Sequence, residues 1–282
     1  MSATLTSMNS TCRILRKLPL LCGALLLLRA PRLLAEPTAT ATAVFNTYAR
    51  TVESRLTQQH QSPNAFLALP ADPAARTQLR SGQLFIEKIT TPRTPDALLH
   101  HWRATAFVPN ATPADFERLL QNFSAYPHNF APQIVSSTVL NHTPTDTLLR
   151  LRTRQHHVIT VVLDTTCDVT FDSLNPSHGY SSSRSTRIDT VSPSDTEGFL
   201  YRLNTYWTYE QRDGGLYLQI ESLSLTRSIP RGLAWAVQPY LESIPRESLI
   251  FTLTSARNAL HDPKTGNWKL ATENSTQEPD LR

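Results

Sequence analysis

The amino-acid sequence predicts an α+β fold, an antiparallel sheet with one long helix across a face, built by residues 82–262. Three observations carry that expectation. Extended segments follow one another over residues 133–227, after a single strand and helix. Asp213-Gly214-Gly215 separates two of those segments as a hairpin turn. Residues 233–260 then repeat apolar side chains at helical spacing, with Val237, Leu241, Ile244, Leu249, Leu253, Ala256 and Leu260 near one face.

Ahead of this domain, Arg13, Arg16 and Lys17 precede the apolar run 18–28, and small residues lead to Ala35. That order reads as a cleavable secretory signal over residues 1–35 and places the chain in the periplasm or outside the cell. The apolar run is shorter than the roughly 20 residues a membrane span needs. An uncleaved signal anchor is the alternative that Arg29 and Arg32 leave open. Removing the signal takes away five of the 27 basic residues and no acidic one, leaving 22 against 23 and a net charge of −1. The mature chain therefore has no bulk positive charge to hold a phosphate backbone, and nucleic acid is not an expected partner. Cys12 and Cys22 leave with the signal, so Cys167 is the single cysteine of the mature chain and forms no internal disulfide. Its place within an extended apolar run reads as a small buried hydrophobe.

Along the mature chain, Val44, Tyr48, Val52 and Leu56 at four-residue spacing predict an N-terminal helix over residues 36–60. Pro63, Pro70 and Pro73 among small residues predict a linker over 61–80. Strands are expected at 84–86 and 101–108. A helix capped by Thr112 with Pro113 at its first position follows, with Phe116, Leu119, Leu120 and Phe123 facing the core, and Tyr126-Pro127 is expected to end it. Further strands are expected at 133–141, 147–153, 157–171, 180–191, 199–212 and 216–227. Pro239 and Pro245 predict that the last helix breaks into a short piece to about Ser243 and a longer one from Pro245. Residues 263–282 read as a mobile polar tail.

The segments His101-Trp-Arg-Ala-Thr-Ala-Phe-Val108, Thr112-Pro-Ala-Asp-Phe-Glu-Arg-Leu-Leu120 and Tyr126-Pro127 resemble the first strand, helix and turn of the START-like superfamily. That group includes START lipid-transfer domains, polyketide cyclases and coenzyme-Q-binding proteins. Ser183-Arg-Ser-Thr-Arg-Ile188, Arg202-Leu-Asn-Thr-Tyr-Trp-Thr-Tyr-Glu210 and Ile229-Pro-Arg-Gly-Leu233 look like the late strands and last-helix approach of its exported bacterial members, and Ser243-Ile-Pro-Arg-Glu-Ser-Leu249 opens the C-terminal helix. The resemblance covers residues 98–260. It implies a helix-grip fold, in which a curved sheet wraps around the C-terminal helix and leaves an apolar cavity between them.

The function expected from this resemblance is binding or carrying a lipid, quinone or polyketide-like molecule, with peripheral membrane contact as a further expectation. A cyclase- or hydrolase-type enzyme using the same cavity and an envelope scaffold acting through the N-terminal helix are the alternatives. Gly-x-Ser-x-Gly, His-Glu-x-x-His and Walker sequences do not occur, so no catalytic residue, metal ligand or cofactor is assigned. Period two places Arg202, Asn204 and Tyr206 on one face of a strand, and Gln219 and Glu221 on one face of its hairpin partner. If that face lines the cavity, Tyr206 and Glu221 would orient a polar head; if it faces solvent, they are cross-strand surface pairs. Tyr201, Leu203, Thr205, Trp207 and Tyr209 would take the opposite face, as core or cavity wall. Trp235, Leu241 and Phe251 are the cavity candidates on the last helix.

Overall fold

A computed structural model describes residues 36–62, 65–156, 160–191, 200–228 and 234–261, with the backbone alone over 234–242. The expected signal, the polar tail and the 229–233 approach to the last helix lie outside the described residues. The described chain forms one compact unit.

The first helix, α1 (Ala39–His60), starts at Thr38, whose hydroxyl accepts from the Ala41 amide. Its buried side chains are Ala41, Phe45, Ala49, Val52 and Leu56. The stripe therefore runs through Phe45 and Ala49, not Val44 and Tyr48, because strict four-residue spacing drifts off the face of a helix that turns every 3.6 residues. The segment expected to be a linker holds a second helix, α2 (Pro73–Arg80), with Asp72 as its cap and Pro73 in its first turn. Its Leu79 is 1 % exposed and joins a cluster with Phe66, Leu67, Phe107 and Tyr217.

Among the described residues eight strands follow: β1 (Phe85–Lys88), β2 (Ala97–Pro109), β3 (Ile134–His142), β4 (Asp146–His156), β5 (Thr160–Asn175), β6 (His178–Thr190), β7 (Leu200–Arg212) and β8 (Gly215–Arg227). They pair antiparallel in the order β1-β2-β8-β7-β6-β5-β4-β3. From β3 to β8 each strand pairs with the next in sequence, and β8 closes back on β2. The β7–β8 turn has two central residues, Asp213 (φ 54°) and Gly214 (φ 77°). Positive φ at both gives a two-residue turn whose twist matches that of the strands, which is why Asp-Gly serves there.

Between β2 and β3 the chain crosses the sheet. Helix α3 (Pro113–Gln121) opens with a capping box: Thr112 Oγ1 accepts from the Asp115 amide at 3.2 Å, and Asp115 Oδ2 from the Thr112 amide at 3.1 Å. The helix ends at Gln121, and Tyr126 and Pro127 open a separate turn, α4 (Tyr126–Asn129), instead of terminating α3. The last helix, α5 (Ala234–His261), runs unbroken through both prolines. A proline forfeits one i to i−4 hydrogen bond, and the remaining ladder carries the helix across that gap.

Helix α5 packs on β2, β8, α3 and α4. Leu249, Leu253 and Ala256 meet Ala104, Ala106, Val108, Leu216, Leu218 and Ile220 there. The other face of the same sheet is covered by α1, whose apolar stripe lies on Ala97, Leu99, Leu223 and Leu225. The architecture is thus α1 on sheet on α5. The helix-grip expectation of an antiparallel sheet against a long C-terminal helix holds, with an additional N-terminal layer behind the sheet.

Phe45→Ala should lower unfolding free energy by about 3–5 kcal/mol in urea denaturation, because a side chain 2 % exposed would leave a cavity between α1 and the sheet. Val44→Ala, on a half-buried position one residue away, should cost clearly less.

Candidate functional site

The pairing of β2, β8, β7 and β6 aligns side chains into rows that cross the sheet. Trp102 pairs with Ser222, Ser222 with Thr205, and Thr205 with Ser183, so these four stand in one row. Partners in an antiparallel ladder project from the same face. The neighbouring row contains Ala104, Ile220, Trp207 and Ser181. Because Ala104, Ile220 and Trp207 belong to the cluster under α5, both rows face that helix.

The two rows differ in how they are filled. Trp207 meets Phe116 of α3 edge-on at 5.1 Å between ring centroids, and Tyr209 meets the same ring at 5.2 Å while its hydroxyl donates to Glu117. Phe251 of α5 packs partly buried against this cluster. In the adjacent row Trp102, Ser222, Thr205 and Ser183 all remain half-buried, although β8 and β7 are interior strands. Between Gly215 and Leu225 every residue of β8 is buried except Ser222. The third row carries His100, Ser224 and Leu203, and beyond them Ser185 and Cys167.

Small hydroxyl side chains across three adjacent interior strands fill less volume than larger residues would, and this half-buried row is the candidate trough. Among the described residues, two buried polar atoms on this face have no hydrogen-bond partner: Nε1 of Trp102 and Oγ of Ser224. His100, beside Ser224, has its Nε2 3.2 Å from the Thr226 hydroxyl. Cys167 lies on the same face, where burial pushes its thiol up to about 11 against the opposing effect of a hydrogen bond with Ser183. It is a buried apolar group and not a thiolate at neutral pH.

The polar set singled out by strand periodicity lies on the opposite face, beneath α1. Glu221 is 1 % exposed, and its Oε2 accepts from His101 Nε2 at 2.8 Å and from Arg55 Nη2 of α1 at 2.5 Å. Arg103 Nη1 stands 3.6 Å from the other oxygen. On the other side of the ring, His101 Nδ1 stands 2.9 Å from the Tyr48 hydroxyl of α1. Burial alone would raise the Glu221 pKa, but the His101 hydrogen bond and the charges of Arg55, His101 and Arg103 together hold it below the ordinary value.

Tyr206 donates to Glu53 of α1 at 2.9 Å, Arg184 donates to the same oxygen at 2.6 Å, and Asn204 donates to the Tyr206 hydroxyl at 3.2 Å. Burial holds the Tyr206 phenol well above its ordinary pKa. Gln219 clamps the Ala68 backbone from both sides of its amide and also donates to Thr105. Arg202 is half-buried on this face and donates to the Tyr201 carbonyl.

Three expectations differ from this arrangement. Arg202, Asn204, Tyr206 and Glu221 do not line the space beneath α5, because the layer they serve is the N-terminal helix. Nor are they solvent-facing pairs, since α1 buries most of them. Tyr201 joins the α1 face with Leu223 and Leu225, because a register shift between Leu200 and Arg202 turns it over. Of the remaining candidates, Trp207 and Phe251 do face the α5 side, while the side chains of Trp235 and Leu241 lie outside the described residues. Trp102, Ser183, Ser222 and Ser224 were not singled out by the sequence. Their signal is the alternation Glu221-Ser-Leu-Ser-Leu225, which sets two serines opposite buried leucines on a strand covered on both sides.

No family model matches the chain, and no curated protein matches it. Solved structures similar to it include an aromatase/cyclase from Streptomyces sp. R1128 (14 % identity, covering 58 % of this chain and 94 % of that one, TM-score 0.44). A STAR-related lipid transfer protein from Xanthomonas axonopodis is 16 % identical over 62 % of this chain and 99 % of that one, with a TM-score of 0.41. A START superfamily protein from Mycobacterium smegmatis is 15 % identical over 57 % and 97 %, also at 0.41. Likeness at this level assigns no activity.

Two measurements check the α1 face. Glu221→Gln should destabilise the chain by about 3–5 kcal/mol in urea unfolding, since it leaves Arg55, His101 and Arg103 around a buried site without its anion. His60 ends α1 with Nε2 3.0 Å from Thr208 Oγ1 and its ring stacked on Tyr180. Burial first, then Arg55, pull its pKa down to about 4. The unfolded chain thus binds a proton between the ordinary value of 6.5 and about 4 that the folded chain does not, so stability falls as pH drops through that window. His60→Gln should flatten the decline in urea midpoint between pH 7 and 4.5.

Proposed function

We propose that this chain is an exported binding protein that carries an apolar or amphipathic small molecule, of the lipid, quinone or polyketide-like kind, in the trough between the sheet and α5. The observation that supports this most is Ser222, the one half-buried position between Gly215 and Leu225 on an interior strand, flanked by Thr205, Ser183 and Trp102. A sheet face under a helix normally excludes water by filling its volume with apolar side chains. A row of hydroxyls there costs burial energy unless something satisfies it. An amphipathic ligand does so, with its apolar body against Trp207, Leu218 and Leu249 and its polar part over the serines.

Export rests on the order of basic, apolar and small residues in 1–35. An acid–base role for Tyr206 and Glu221 has no support from their position, since both are committed to holding α1. The same commitment disfavours a scaffold that acts through a detachable N-terminal helix.

Mass spectrometry of an organic extract of the mature chain, purified from its native envelope without detergent, should find a stoichiometric apolar molecule. Ser222→Leu should fill the trough and abolish that retention without lowering the thermal midpoint. A chain that co-purifies empty and binds no added apolar molecule would overturn the carrier reading.

A further inference from the structure

We infer that the trough recognises an uncharged ligand through an oxygen acceptor, a carbonyl, ether or hydroxyl oxygen, with the Trp102 indole N–H and the Ser224 hydroxyl as its donors. This rests on the carrier reading above and assigns the chemistry of the ligand's polar part. Ser224 is 4 % exposed, and both its Oγ and the Trp102 Nε1 are buried without any hydrogen-bond partner. An unsatisfied buried donor is costly, and folded chains keep few of them. Indole N–H only donates, so whatever completes Trp102 must present an acceptor.

The two groups serve one site. Trp102 pairs directly with Ser222, and Ser224 lies two residues farther along β8, a rise of about 7 Å. Both stand on the face toward α5, on either side of the half-buried Ser222. Their spacing fits one oxygenated ring system or the linkage region of a neutral lipid.

The surroundings set the charge. Among the described residues of the sheet, Ala104, Ile220, Ser222, Thr205, Leu203 and Ser183, the neighbours along and beside the row, are uncharged. His100 has the Thr226 hydroxyl beside its Nε2. Lys88, the partner of Trp102 on edge strand β1, is exposed at the rim of the row with its ammonium 5.9 Å from the Trp102 ring centroid. A phosphate or carboxylate drawn in past Ser222 and Ser224 would lose its hydration among these uncharged side chains, whereas a neutral carbonyl needs only the donors present.

Three probes of matched shape separate the alternatives: 2-acetylnaphthalene, 2-ethylnaphthalene and 2-naphthoate, titrated into the full mature chain by calorimetry. The ketone should bind three- to tenfold more tightly than the hydrocarbon, as one or two neutral hydrogen bonds provide, and the carboxylate most weakly. Trp102→Phe should erase the ketone's advantage over the hydrocarbon, and Ser224→Ala should reduce that advantage. In the unsubstituted chain the Trp102 indole N–H resonance should move on adding the ketone and stay in place with the hydrocarbon, which keeps the test decisive if a variant fails to fold. Equal binding of ketone and hydrocarbon, or tightest binding of the carboxylate, overturns the donor assignment while leaving the carrier reading intact. Failure of all three probes to bind overturns the carrier reading and this inference with it.

Discussion

Burial of strand β8 on both faces is the constraint on which the rest of the structure depends. From Gly215 to Leu225 its side chains alternate between two different covers, α1 with the 66–79 segment on one side and α5 on the other. A strand so placed cannot slip by one residue, because a slip would drive Glu221 and Gln219 under α5 and Leu218 and Ile220 against Arg55. Register, the placement of α1 and the composition of the trough therefore have one origin.

The ionic layer beneath α1 follows from that constraint. A carboxylate as deeply buried as Glu221 is tolerated only when its charge is met, and Arg55 supplies that from the helix while His101 and Arg103 supply it from the neighbouring strand. Glu53 does the converse, bringing an acid from α1 to Arg184 and Tyr206 on the sheet. Apolar contact through Phe45, Val52 and Leu56 gives α1 its affinity for the sheet, and these directional contacts fix where along the sheet it sits. The polar side chains of that face thus serve chiefly to attach α1 to the sheet.

Much of the fold was legible in the sequence. Thr112-Pro113 announced α3, Asp213-Gly214 announced the β7–β8 hairpin, and the long apolar periodicity announced α5. The grouping of Arg202, Asn204 and Tyr206 with Glu221 on one face was also readable, since β7 and β8 are joined by a short turn that sets their register. Which layer covered that face was not readable. The helix at 39–60 reaches Glu221, Tyr206 and Arg184 across more than a hundred positions of sequence, and nothing local in it names Glu221 as the partner of Arg55. The trough was hidden for a related reason. Serines at 222 and 224 look like solvent-facing positions on a strand with one buried side, and become unusual only when both sides are known to be covered. Tyr201 was placed on the wrong face because a bulge is a property of two paired strands and leaves no mark in one of them.

The most direct measurement of the central claim is the alkylation rate of Ser222→Cys in the mature chain, before and after loading with the molecule extracted from the native envelope. Cys167, buried and with its thiol pushed up, supplies a slow internal reference. The account predicts that the introduced thiol reacts readily in the stripped chain and is protected once the ligand is bound. An introduced thiol as slow as Cys167 in the stripped chain, or one whose rate ignores the ligand, would contradict a binding trough beneath α5.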